Sequence, residues 1–332
     1  MDFMVGGTAL DYDTTAAYHQ STYSRYALAS PVGNGYDSNF YYGTTWAGGE
    51  VTDGWLHCIM AINYVKALNY DVSLFGFGCS SAATPSDGLY IGHGTNYEIL
   101  ICKIEGGSQS VLATAASAKH VYGGNPYALD IHLESYGASG TLTVYLNQAE
   151  VVTYTGDISL SGISGFDRVN LTPYKTNQAP SGYRETFHSQ VIAADEDTRT
   201  FSLRTHHPTG AGDTNDWDGG TYASIDELVY SEADLIYTDT ADEDFQANLA
   251  DAPADVTSVK AIIVSAWAAK SSDASIETLE LGTYYNSTID VDAGHTLDTA
   301  YANYHRVTAT INGNPITSII LDSMQLDLQS ES

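Results

Sequence analysis

The chain has 332 residues, 43% hydrophobic and 11% aromatic, with 41 acidic side chains against 12 basic and a formal net charge of −29. Twelve cations on so acidic a body exclude a nucleic-acid groove and disfavour docking on anionic membranes. The aromatic content excludes a disordered chain, and the length points to two domains.

The first fifty residues carry few alternating runs and read as an arm with the first strands. Tyr36, Phe40, Tyr41, Tyr42 and Trp46 cluster there among Gly, Asn and Asp. The segment Leu56–Val65, led by Trp55, is a short apolar run of strand type. Leu89–Gly92 and Glu98–Ile104 are strand-length and bounded by turn residues. Tyr127–Leu133 alternates with period two, placing Tyr127, Leu129, Ile131 and Leu133 on one face and Asp130 and His132 on the other. Thr141–Leu146 alternates likewise, and Asn147-Gln148 turns it back into Val151–Tyr154 as a hairpin. Phe166–Leu171 and Gln190–Ala193 complete this series.

A turn-rich stretch, residues 206–213, reads as a linker. Beyond it Val259–Trp267, Ile276–Tyr284, Tyr304–Ile311 and Ile319–Leu328 are expected strands. Asp242–Ala250 is acidic at its front, which suits a helix start or a loop. The expected fold class is all-β: a sandwich over residues 51–204, preceded by the arm at 1–50 and followed by a second, smaller β-sandwich at 205–332. Cys58, Cys79 and Cys102 form no metal-binding or redox spacing, and Cys58 and Cys102 sit in apolar runs as buried core thiols. Met1–Gly7 has no basic and apolar leader pattern, which predicts synthesis in a cytoplasm without a secretion signal. The apolar stretch at residues 261–269 is far short of the roughly 20 residues of a membrane span.

Trp55-Leu56-His57, then Ala128–Leu133, then Gly140–Asn147 running into a hairpin, resemble the laminin-G/concanavalin A-like jelly roll. Phe166–Val169 and Gln190–Arg199 look like its closing strands as found in virion structural proteins of tailed bacteriophages. Gly212–Trp217, Tyr222–Glu227 and Val259–Ala266 are similar to the same proteins. The resemblance spans residues 50–330 as a string of short motifs in order. It implies a capsid decoration, spike or fibre component that works by packing between subunits. It also implies a homo-oligomer, a trimer by analogy, with major capsid or tail proteins as partners. The expected location is the virion, assembled in the host cytoplasm.

Retaining glucanases of this fold need two opposed carboxylates about 5–5.5 Å apart. In the matching strand Ala128 stands where the nucleophile belongs and His132 or Leu133 where the acid belongs, leaving Asp130, which reads as a surface residue beside His132. No Gly-x-Ser-x-Gly elbow and no paired-histidine metal motif is present. These readings predict a protein that is not an enzyme. Asp195–Arg199 reads as a tight turn with Arg199 bonded to a carboxylate. Calcium is the one cofactor the composition invites, with Asp213, Asn215, Asp216 and Asp218 as its oxygen donors; Ser224 at the twelfth position rules out an EF-hand. The second functional reading is a host-recognition adhesin that binds a host surface glycan through Tyr36, Tyr41, Tyr42 and Trp46.

Overall fold

A computed structural model describes residues 50–65, 72–79, 81–82, 87–120, 126–174, 184–204, 206–226, 234–272, 275–311 and 313–332, with strand segments at 4–6, 18–19, 28–29 and 42–45. The chain divides into two units, Met1–Leu203 and Arg204–Ser332. Both are built of antiparallel sheets, as the alternation predicts.

The strands of the first unit are β1 (Met4–Gly6), β2 (Tyr18–His19), β3 (Leu28–Ala29), β4 (Tyr42–Thr45), β5 (Gly54–Val65), β6 (Val72–Gly78) and β7 (Gly88–His93). They continue with β8 (Glu98–Glu105), β9 (Ser108–Lys119), β10 (Tyr127–Ser135), β11 (Gly140–Leu146), β12 (Ala149–Gly156), β13 (Arg168–Tyr174) and β14 (Arg184–Ala194). One sheet runs β12-β11-β10-β5-β14-β3-β2, with β1 also on β14. The other runs β4-β13-β6-β7-β8-β9. The N-terminal segments therefore add strands to the sandwich: β1 and β3 pair with β14, and β4 pairs with β13.

The period-two pattern explains the core. Leu56, Cys58 and Met60 of β5 share one buried cluster with Leu129, Ile131 and Leu133 of β10 and Leu142 and Val144 of β11. Phe75, Phe77, Leu89, Ile91 and Ile101 meet them from the opposite sheet. All three cysteines are buried free thiols. The β11–β12 hairpin turns at Asn147 (φ 48°) and Gln148 (φ 71°). Both are left-handed, as a two-residue turn matching strand twist requires. Asn tolerates this region and Gln does so poorly. Gln148→Gly is accordingly expected to raise stability by about 0.5–1 kcal/mol, read as a higher denaturant midpoint; a lower midpoint refutes this account of the turn.

The second unit contains β15 (Pro208–Asn215), β16 (Glu243–Leu249), β17 (Ile262–Ala268), β18 (Thr278–Tyr285), β19 (Thr288–Val291), β20 (His295–Thr296) and β21 (Ala302–Thr308). β22 (Thr310–Ile311), β23 (Asn314–Pro315), α1 (Ser318–Ser323) and β24 (Gln325–Glu331) close it. Its main sheet runs β15-β16-β24-β18-β19, with β20 on β18; β17 and β21 form a separate pair. Three local expectations change here. Residues 208–215 are a strand rather than a linker. Residues 243–249 are also a strand, because Phe245 and Ala247 enter the core between β15 and β24, which outweighs an acidic front. The expected strand from Ile319 begins instead as α1. The Thr317 side chain accepts from the Ile320 amide at its N-terminus, and Leu321 packs with Ile311, Ile316 and Met324. On the main sheet Asp327 and Gln246 are paired across strands and buried, with Gln246 Nε2 donating to Asp327 Oδ1 at 2.7 Å.

Candidate functional site

The face of the first sheet turned away from the core holds a compact polar and aromatic cluster. It follows from strand phase: where Leu56, Cys58 and Met60 point inward, Trp55 and His57 point outward. The same holds for Asp130 and His132 on β10 and for Tyr145 on β11. Register then aligns them. Asp130 pairs with His57 on one side and Tyr145 on the other, and His132 pairs with Trp55.

Asp130 is the anchor. It is 0% exposed, which corrects the surface position expected from sequence. The chain following β14 crosses back over the outer face, and Thr198 Oγ1 donates to Asp130 Oδ1 at 2.8 Å. His57 Nδ1 lies 2.8 Å from the same oxygen and donates to it when the carboxylate is ionised. Asp130 Oδ2 and His57 Nε2 are buried without a hydrogen-bond partner. Each such atom costs about 1–3 kcal/mol, so this pair is more than inert filling. Burial and the Asp130 charge also push the Cys58 thiol up, which disfavours its thiolate.

Arg199, next to Thr198, lies over the aromatic rings. Its Cζ is 4.6 Å from the Tyr145 ring centre and 5.5 Å from that of Trp55. Trp55 stacks on His132 at 4.1 Å and 10° and on Tyr145 at 5.5 Å and 25°. Asp197 holds the guanidinium through Nε and Nη2, at 2.9 and 2.5 Å, as the turn pattern predicted. That pairing lowers the Asp197 carboxyl and raises Arg199. His132 Nε2 lies 3.5 Å from Asp53 Oδ1. Desolvation raises the Tyr145 hydroxyl, Arg199 pulls it down, and the charges of Glu150, Asp197 and Glu134 add to the rise, so it stays protonated. Beside it the Thr153 hydroxyl lies 3.0 Å from both Thr143 Oγ1 and Glu150 Oε1, and Thr141 meets Thr155 at 3.2 Å. Trp55 is buried, 8% exposed, while His132 and Tyr145 are partly exposed, so the accessible surface is the edge of these two rings with hydroxyl, carboxylate and guanidinium groups around it.

Other expected positions lie elsewhere. Tyr36, Tyr41 and Trp46 fall outside the described residues, and Tyr42 is placed by its backbone alone, in β4. Asp213 and Gln325 bond each other, Asp213 N to Oε1 at 3.0 Å and Nε2 to Asp213 Oδ1 at 3.1 Å. Asp218 Oδ2 accepts from the Asp239 amide at 2.9 Å and from Thr238 at 3.4 Å. Asn215 ends β15, and Asp216 follows it, exposed. No three His, Cys, Asp or Glu side chains form a metal-holding group among the described residues. Asp213 and Asp218 are thus each hydrogen-bonded to a neighbouring segment. Trp55, Tyr145 and Arg199 were not singled out as site residues. Their signal was phase, each aromatic falling opposite to the apolar residues of its own strand.

No family model and no curated protein matches the chain. Solved structures with a similar fold include an endo-β-1,4-glucuronan lyase from the fungus Trichoderma reesei, at 13% identity and a TM-score of 0.43, covering 58% of this chain and 94% of that one. An alginate lyase from Chlorella virus has 10% identity and a TM-score of 0.41, covering 55% and 90%. A carbohydrate esterase from a Shiga toxin-encoding bacteriophage has 12% identity and a TM-score of 0.37, covering 58% and 90%. These likenesses concern the β-sandwich fold. They also correct one expectation. Because such sandwiches are found in polysaccharide lyases and a carbohydrate esterase, the absence of a glucanase motif in β10 does not make this chain a non-enzyme.

Proposed function

We propose that the first unit binds a glycan on the outer face of β5, β10 and β11, as a host-recognition element of a tailed-phage particle. One observation carries the binding reading: Trp55, His132 and Tyr145 form a continuous aromatic cluster on a solvent-side sheet face, bordered by Arg199, Asp197 and a row of threonine hydroxyls. A sugar ring presents C–H groups on its faces and hydroxyls around its edge, and this surface complements both. The adhesin reading expected from sequence is kept, with its binding residues moved from the N-terminal aromatics to this face.

Tyr145→Ala is expected to weaken glycan binding at least tenfold on an array or in calorimetry, with the fold retained because Tyr145 lies outside the buried core. Equal affinity of the variant and the parent protein would remove the site. The same mixtures, followed for unsaturated products and new reducing ends, report whether the bound glycan is also cleaved.

Placement on a virion and trimeric association rest on the sequence resemblance. Electron microscopy of particles labelled on this chain is the test of the first, and mass measurement in solution of the second. Calcium at the 213–218 turn, if present, is expected to raise the melting temperature in a chelator-reversible way.

A further inference from the structure

The aromatic face has an uneven charge. Asp53 faces His132, Asp197 holds Arg199, and Glu134 and Glu150 both act on the Tyr145 hydroxyl. Against these four carboxylates stands, among the described residues, one permanent cation, the Arg199 guanidinium. Asp130 lies buried beneath, bonded to His57 and Thr198. Arg199 is itself engaged: Asp197 occupies both Nε and Nη2, the edge with which a guanidinium grips a carboxylate in bidentate fashion. What remains for a ligand is its Nη1 edge, its plane over Tyr145, and the hydroxyl of Tyr145. Those groups suit hydroxyls and C–H groups. A second carboxylate would have to displace Asp197 while surrounded by uncompensated negative charge, on a chain of net charge −29.

We propose that this face selects by charge, taking an uncharged glycan in preference to a uronic- or sialic-acid polymer. The inference rests on the glycan-binding reading above and adds the class of sugar. Asp197 is the specificity-determining residue in this arrangement: by holding Arg199 it removes the strong anion receptor that the described residues place on this face.

The test is a matched set of probes. Gluco-, manno- and galacto-configured oligosaccharides and their C6-carboxylated counterparts are titrated into the full-length protein at low salt, with a chelator present so that no divalent ion bridges carboxylates. The neutral member of a bound pair is expected to bind about tenfold tighter, as three uncompensated charges roughly 8 Å away in water imply. That preference shrinks as salt is raised. It also shrinks in the double variant Asp53→Asn/Glu150→Gln, whose changes are conservative and peripheral. Tighter binding of the carboxylated member, lost in Arg199→Ala, overturns the charge selection while leaving glycan binding intact. No binding of any probe in either form, with Tyr145→Ala indistinguishable from the parent, overturns both.

Discussion

Replacing Asp130 by Ala is expected to lower the stability of the first unit by about 3 kcal/mol. The carboxylate is the shared acceptor for His57 Nδ1 and Thr198 Oγ1, both at 2.8 Å and both inside a buried site. Its loss strands two buried donors, each worth about 1–3 kcal/mol, and opens a small cavity. For a unit of this size, the melting temperature falls by roughly 6–12 °C. Asp130→Asn keeps an acceptor oxygen and nearly the same volume, so it loses less than half as much. The Ala variant has a second consequence. Thr198 is adjacent to Arg199, so releasing it frees the guanidinium from the Trp55 and Tyr145 rings. Glycan affinity then falls along with stability, even though Asp130 itself cannot touch a ligand. A loss of stability below about 1 kcal/mol in Asp130→Ala would falsify this account of the buried pair.

Asp327→Asn is expected to act in the opposite direction and to stabilise the second unit. Asp327 is 0% exposed, and burial is the main reason its carboxyl rises from 3.8 to about 6. Gln246 pulls it down by donating to it, while Asp244 and Glu280 push it further up. The folded carboxyl thus keeps its proton at pH values where the unfolded one has lost it. Folding takes up a proton between about pH 4 and pH 6, so stability is highest at the acid end of that window and declines as pH rises through it. At pH 7 the buried anion costs about 3 kcal/mol. Asn carries no charge and can still accept from Gln246 Nε2. The variant should therefore gain up to about 3 kcal/mol at pH 7, gain little at pH 4, and show a flat profile between. Hydrogen exchange of the β16, β18 and β24 amides reads this locally. A parent protein whose stability in these strands climbs from pH 4 to pH 6 would exclude a raised Asp327.

The sandwich was legible because alternation is a local property. Leu129, Ile131 and Leu133 could be assigned to one face, and Asp130 and His132 to the other, from β10 alone. The hairpin at Asn147-Gln148 was legible for a similar reason, since two residues between alternating runs leave one way to turn. Residues 243–249 and 318–323 were misjudged where a local signal met a packing decision. The acidic front of β16 favours a helix start, and the apolar run from Ile319 favours a strand. What settled each was the place available in the sheet or core, which neighbouring residues along the chain do not encode.

Sequence by itself determined the all-β class, the division of each strand into a buried and an outward face, and a net charge of −29. It also placed Arg199 on a carboxylate, because Asp197 is two residues away. Only the tertiary structure decided that Asp130 is buried and that His57, 73 residues away in the chain, shares its oxygen with Thr198. It also decided that Trp55, His132 and Tyr145 touch. The physical reason is register. Alternation tells which way a side chain points but not which strand lies alongside, and a one-residue slip of β5 against β10 would turn the whole outward set inward. Strand pairing over long chain separations brings these groups together, and it is fixed by the packing of both sheets at once.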